Sequence, residues 1–103
     1  MITTLTSFTL PKPITRDEAV AIFRSTAPTY RDVPGLHRKT YVLYPDGVTV
    51  GGIYLWQSRA AAETMYSDDW RDFVRGKYGC EPVVTYLDSP VVVDNVTQQI
   101  IED

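Results

Sequence analysis

The sequence has very few of the residues that build disulfides, metal sites and membrane spans. It holds one cysteine and one histidine, Cys80 and His37, so one chain can form neither an internal disulfide nor a zinc site of His and Cys ligands. No apolar run approaches the ~20 residues that a membrane helix needs. We therefore expect no disulfide, no metal site and no association with a membrane.

Positive charge is also scarce. Ten Lys and Arg residues stand against thirteen Asp and Glu residues, which gives a formal charge of −3. The basic residues are scattered, whereas a nucleic-acid surface needs them clustered, so we expect no nucleic-acid partner. Residues 1–6 have neither the positive nor the apolar region of a signal peptide. Together with the lone cysteine, this predicts a cytoplasmic location.

The patterns that are present predict one α+β domain of ferredoxin-like βαββαβ order. The predicted strands are residues 2–10, 36–44, 48–57 and 83–88, and the predicted helices follow residue 15 and, in two pieces, residue 58. This order is typical of a four-stranded antiparallel sheet with both helices on one face. We assign residues 1–95 to the domain and residues 96–103 to a C-terminal tail, either a frayed end or an arm that clasps a partner.

Local signals fix several ends of these elements. Thr15 and Glu18 have the spacing of a capping box, in which each side chain bonds the backbone amide of the other residue. Pro28 removes a helical donor, so the first helix should kink or stop there. The segment 45–47, Pro-Asp-Gly, suits a turn with a left-handed glycine. Ser58 is placed to cap the next helix.

The strands carry apolar side chains on both faces, although the helices can cover only one. Residues of opposite parity are apolar in three strands: Ile2 and Phe8 against Leu5, Ile53 and Leu55 against Tyr54 and Trp56, and Val83 and Leu87 against Val84 and Tyr86. A second apolar face left in water would be an unusually large exposed patch. We therefore predict a homodimer in which two copies pair through their open sheet faces.

Aromatic residues are abundant, and seven of the twelve are tyrosines. Six of them are candidates for lining a cleft between the sheet and the helices: Tyr41, Tyr54, Trp56, Tyr66, Trp70 and Tyr86. Such a cleft would suit a flat aromatic ligand. The same residues are common in cores and interfaces, so core packing is the alternative.

The second strand holds the candidate catalytic residues His37, Lys39 and Tyr41, which share one face. If the turn after this strand has two residues, they lie across from Trp56, Tyr54 and Gly52. If the turn has three residues with a bulge, every side chain changes its partner. The sequence leaves both registers open, and it also leaves open that His37 and Lys39 are merely solvated.

Parts of the sequence resemble the monooxygenase family typified by YdhR, in the dimeric α/β-barrel superfamily. The resemblance lies in Pro34-Gly35-Leu36, in Lys39, and in the segment Gly51–Trp56 with the alanine-rich helix that follows it. The resemblance implies a ferredoxin-like domain paired into a barrel. It also implies oxidation of a small phenolic or quinol-like compound without metal, flavin or another cofactor. Related enzymes use Asn-Trp-Tyr or Asn-Trp-His sets, but the only asparagine here is Asn95 in the tail, so neither set transfers by position.

Two hypotheses of function follow. In the first, the protein is a cofactor-independent monooxygenase in which Lys39 or His37 assists deprotonation of a phenolic substrate and aromatic side chains position it. In the second, it is a non-catalytic dimer that binds a small hydrophobic molecule. A closed cavity of several hundred Å³ that holds Lys39 or His37 would favour the first hypothesis, and a filled core the second.

Overall fold

The computed structural model describes residues 1–103 and has a four-stranded antiparallel sheet at its centre. The strands are β1 (Ile2–Thr9), β2 (Leu36–Leu43), β3 (Thr49–Trp56) and β4 (Val83–Asp88). They lie in the order β2-β3-β1-β4, so the first strand of the chain is central and pairs with β3 and β4. This confirms the predicted ferredoxin-like α+β fold.

Three helices cover one face of the sheet. They are α1 (Arg16–Thr26), which continues into a 3-10 turn (Ala27–Tyr30), α2 (Arg59–Met65) and α3 (Asp68–Tyr78). The core between the two layers is built on buried side chains of β1, β3, α2 and α3. None of the helices has both the length and the apolar character that crossing a membrane requires.

The ends of the helices follow from the local signals in the sequence. The Glu18 amide donates to the Thr15 hydroxyl, and the Thr15 amide donates to the Glu18 carboxylate, which completes the predicted capping box. The backbone changes from α-helix to 3-10 geometry immediately before Pro28. Ser58 caps α2 by accepting from the amide of Ala61. These predictions are confirmed.

The β2–β3 hairpin has the register of the two-residue turn along most of its length. Lys39 lies opposite Tyr54 and Tyr41 opposite Gly52, and Gly47 in the turn has the left-handed φ of 73°. The prediction that His37 lies opposite Trp56 is wrong. A β-bulge between Leu36 and Arg38 leaves His37 as the extra residue, and Leu36 takes its place opposite Trp56.

The sheet face away from the helices remains partly exposed. Ile53, Val83 and Leu87 lie on this open face with 43%, 60% and 45% of their surface accessible. After β4 the chain forms a second, separate hairpin of β5 (Val91–Asp94) and β6 (Gln99–Glu102). The domain boundary predicted at residue 95 falls in the turn of this hairpin. Arg38 of β2 donates to Asp94, which ties the hairpin to the sheet.

Candidate active site

The space between the sheet and the helices is occupied by aromatic rings that pack on one another. Tyr54 and Trp56 stack nearly in parallel, with ring centroids 5.9 Å apart, and Tyr66 meets both rings edge-on. We call the whole set the aromatic layer; its members are Phe8, Phe23, Tyr30, Tyr41, Tyr54, Trp56, Tyr66, Trp70, Tyr78 and Tyr86. All six aromatic residues predicted to bind a ligand belong to it.

Thr4 and Thr6, two neighbouring threonines of β1, place hydroxyls beneath the aromatic layer. The Thr4 hydroxyl accepts a hydrogen bond from the Trp56 indole N–H at 2.9 Å and shares a second one with the Tyr66 hydroxyl at 2.6 Å. The hydroxyl of Thr6 is equally buried and has no hydrogen-bond partner. Thr4 therefore holds both the indole of Trp56 and the phenol of Tyr66 by hydrogen bonds.

Lys39 reaches from β2 into a cage of three tyrosines. Its Nζ lies 3.3 Å from the ring centroid of Tyr30, 3.9 Å from that of Tyr41 and 4.8 Å from that of Tyr54. We call Tyr30, Tyr41 and Tyr54 the tyrosine cage. None of the ion pairs in the structure involves Lys39. The amine is thus surrounded by aromatic surface and has no carboxylate partner.

This environment changes the acidity of Lys39. Burial lowers the pKa of its ammonium to about 7, because the charged form loses hydration that no carboxylate replaces. The tyrosine faces act in the opposite direction, since aromatic rings attract a cation. The lowered pKa makes the free amine more accessible near neutral pH than in an ordinary exposed lysine, and the free amine can accept a proton or attack an electrophile.

The tyrosines themselves are poor bases. Burial raises the pKa of Tyr41, Tyr54 and Tyr66 above the ordinary phenol value, and that of Tyr78 to about 12. They stay protonated at neutral pH and serve as hydrogen-bond donors and apolar surface. The Tyr41 hydroxyl, for example, lies 2.8 Å from the hydroxyl of Thr26 at the end of α1.

Two spaces of different size border the Lys39 side chain. A narrow, partly open cavity of about 10 Å³ lies against the aromatic layer and has room for about one water molecule. An open groove of about 250 Å³ lies on the outer side. We call it the Lys39 groove; it is lined by Ala27, Tyr30, Arg31, Leu36, His37, Arg38, Lys39 and Tyr41. Of the two spaces beside Lys39, only the groove has the volume to hold a ligand.

The structure brings together Lys39 and Tyr41 as the sequence predicted, but it separates His37 from them. His37 is exposed at the bulge and meets them only along the wall of the groove. Tyr30 is the important residue that the sequence analysis missed as part of a site. Tyr30 follows Ala19, Phe23 and Ala27 at helical spacing, which is typical of a buried face, but this spacing carries no sign that the ring would cover a lysine from another element.

Comparison with solved structures places the fold. A monooxygenase from the gene ActVA-Orf6 of Streptomyces coelicolor, in complex with nanaomycin D, superposes with a TM-score of 0.65 at 20% identity, over 85% of this chain and 86% of the other. SnoaB, a cofactor-independent oxygenase from Streptomyces nogalater, superposes with a TM-score of 0.62 at 16% identity, over 85% and 91%. The chain shares its fold with antibiotic biosynthesis monooxygenases. At these identities the likeness establishes the fold alone.

Neither the family models nor the curated proteins provide a closer relative: no family model matches the chain, and no curated protein matches it.

Proposed function

We propose that the protein is a cofactor-independent monooxygenase of small phenolic compounds, with Lys39 as its general base. The observation that carries the proposal is the Lys39 amine, caged by tyrosine rings and without a carboxylate partner. A base is most effective when its pKa lies near the working pH. The monooxygenases that share the fold support the reaction class, and one of them is described as independent of a cofactor.

The proposed reaction needs only a proton acceptor, an oriented ring and dioxygen. Lys39 takes the phenolic proton, and the electron-rich phenolate reacts with dioxygen at a ring carbon. One oxygen atom stays on the ring as a carbonyl, and the other leaves as water with the two protons that the phenol loses from carbon and oxygen. The product is a quinone. The contribution of the protein is to orient the ring, remove the proton and restrict water.

The Lys39 groove is the proposed binding site of the substrate. A cavity of about 150 Å³ holds a benzene ring, so the groove is large enough for one, whereas the narrow cavity is not. We propose that Tyr30 and Tyr41 flank the substrate ring and that Tyr54, Trp56, Tyr66 and Trp70 support them from within the layer. Of the predicted catalytic set, Lys39 is the base, Tyr41 is a wall, and His37 is at most a contact at the rim.

We also propose the closer relationship to the YdhR-like family, which rests on the segment Gly51–Trp56, and the pairing of two copies through the open sheet face. The apolar side chains of Ile53, Val83 and Leu87 support the pairing, because they are exposed on that face of the isolated chain.

The test is oxygen uptake by the purified, metal-free protein with a panel of phenols and hydroquinones. We expect uptake whose kcat/KM rises as the pH passes through about 7, because the base must be in its amine form. Lys39→Arg keeps the charge but not the base and should lower kcat by about 10²–10⁴-fold. Lys77→Arg alters an exposed lysine and is the matched control.

No uptake with any member of the panel, or equal activity in Lys39→Arg, would contradict the proposal. The filled aromatic layer supports a second candidate, a protein that binds an aromatic molecule without converting it. In that case phenols would change the fluorescence of the two tryptophans while oxygen and phenol concentrations stayed constant.

A further inference from the structure

The chain has three lysines, and Lys39 differs from the other two. Lys12 and Lys77 are exposed, and Lys77 donates to the hydroxyl of Ser25. Lys39 is partly buried, has no ion-pair partner and opens onto a groove whose lining includes no Asp or Glu. An acidic side chain there would hold the amine as ammonium, so its absence matters for reactivity at nitrogen.

We propose that Lys39 forms a reversible covalent imine with aromatic aldehydes or ketones that enter the Lys39 groove. A lysine that is desolvated by apolar surroundings becomes a nucleophile, because part of it carries a free electron pair at neutral pH. Lys39, Tyr30 and Tyr41 all line the groove, and the Lys39 Nζ lies 3.3 and 3.9 Å from the ring centroids of these two tyrosines. A carbonyl compound in the groove would thus contact both the Lys39 side chain and the rings of Tyr30 and Tyr41.

The chemistry is balanced without any further reagent. The Nζ electron pair attacks the carbonyl carbon, and the C=O π electrons move to oxygen. A proton passes from nitrogen to that oxygen, which gives a carbinolamine. Loss of water, made of the hydroxyl and the second proton of nitrogen, leaves the C=N bond. Water from the open groove reverses the reaction, and no oxidation or reduction occurs.

The aromatic class of the ligand follows from the walls. The rings of Tyr30 and Tyr41 meet nearly edge to face, at 81°, and Tyr30 forms part of the groove surface. An aromatic aldehyde can stack on such a surface while its carbonyl group approaches the Lys39 amine, and contacts between aromatic rings favour it over an aldehyde without a ring. An aliphatic aldehyde of similar length gains less from these walls.

The inference does not depend on the proposed oxygenase activity, since it requires no dioxygen and no phenol. It uses the same amine as a nucleophile instead of a base. Imine formation and oxygenase activity can therefore fail separately. The imine is detected under nitrogen by mass spectrometry, and the oxygenase activity by oxygen uptake.

The test is reductive trapping. The full chain is incubated under nitrogen at pH 7 with benzaldehyde and sodium cyanoborohydride, and modified residues are located by peptide mass mapping. An ordinary lysine has only about 0.04% free amine at this pH. We expect Lys39 to be benzylated at least about tenfold faster than Lys12 and Lys77 in the same sample. The terminal amine of Met1 is mapped as well, so that its reaction is not mistaken for that of Lys39.

Three variants and a second aldehyde sharpen the result. Lys39→Arg should remove the fast site, and Lys12→Arg should leave it unchanged. Tyr30→Leu, which keeps the amine but removes one wall, should reduce the preference for benzaldehyde over butanal. Equal labelling of all three lysines in the folded wild-type chain would overturn the inference without recourse to any variant. If Lys39 were labelled fast but equally by benzaldehyde and butanal, the proposed preference for aromatic carbonyl compounds would be wrong.

Discussion

The two buried threonines of β1, Thr4 and Thr6, differ in the hydrogen bonds of their hydroxyls. Both lie on the helix-facing side of β1 and are 0% and 1% exposed. Thr4 satisfies the indole N–H of Trp56 and the hydroxyl of Tyr66, whereas the Thr6 hydroxyl is buried without a partner. A buried polar group stabilises the fold only if it is hydrogen-bonded.

Replacement of each threonine by the nearly isosteric valine separates these effects. Thr4→Val leaves an indole donor and a phenol unsatisfied, so we expect the free energy of unfolding to fall by about 2–4 kcal/mol. Thr6→Val removes only an unpartnered hydroxyl and should change stability by less than about 1 kcal/mol or increase it. Urea unfolding followed by circular dichroism measures both. Equal losses in the two variants would show that the Thr4 hydrogen bonds are not the cause.

Whether a glycine can be replaced by a larger residue depends on the strand or helix that contains it. Gly51 lies in the middle of β3, where an added Cβ would stand within 2.8 Å of the backbone carbonyl carbon of Thr6 and closer still to its oxygen. Gly76 lies in α3, where an added Cβ would meet nothing within 4 Å. Strand β3 can pair with β1 at this point only if residue 51 has no side chain.

Alanine at the two positions should therefore act in opposite directions. Gly51→Ala forces the two central strands apart, and we expect a loss of about 3 kcal/mol or failure to fold. Gly76→Ala gains helix propensity and should stabilise the chain by roughly 0.5–1 kcal/mol. Thermal unfolding of both variants checks this. A stable Gly51→Ala protein would mean that the β1–β3 pairing tolerates a side chain there.

Elements with local causes could be predicted from the sequence, and those with distant causes could not. The capping box of Thr15 and Glu18 and the left-handed turn at Gly47 depend on residues within four positions of one another, and both were predicted. The bulge at His37 depends on how Leu36 docks opposite Trp56, twenty residues further along the chain. No short-range pattern carries that information.

The same distinction applies to the site. Lys39 and Tyr41 are two apart in one strand, so their common face could be predicted from the period of the strand. Their cage also needs Tyr30, which arrives from the 3-10 turn after α1. The helical spacing of Tyr30 after Phe23 and Ala27 is compatible with burial, but only the packing of the first helix on the sheet brings the Tyr30 ring over the amine.

The open sheet face carries apolar side chains that nothing in the isolated chain covers. Its exposed Ile53, Val83 and Leu87 would be buried if two copies paired face to face. A pairing of this kind is driven by the removal of apolar surface from water, to which each Å² contributes about 25 cal/mol. A charge at the centre of the face should therefore oppose it strongly.

Ile53→Asp tests the proposed dimer. We expect the wild-type chain to sediment as a dimer at micromolar concentration and the variant as a monomer with the same circular dichroism. Phe73→Asp changes a residue of similar exposure, 51%, on α3 at the other side of the molecule and should leave the dimer intact. A wild-type monomer at this concentration would refute the pairing, and loss of the dimer in both variants would place the contact elsewhere.

The order of the strands also has a consequence for the time course of synthesis. The central strand β1 is made first, but its two neighbours are β3 and β4, and β4 ends at Asp88. At about 5–20 residues per second, β1 waits roughly 4–16 s before its second partner has been translated. During that interval the β2–β3 hairpin can close on its own, because its contacts are local. The nascent chain must then carry an unpaired edge of β1 until its last core strand emerges, so early protection of residues 2–9 would have to come from β3 or from a chaperone.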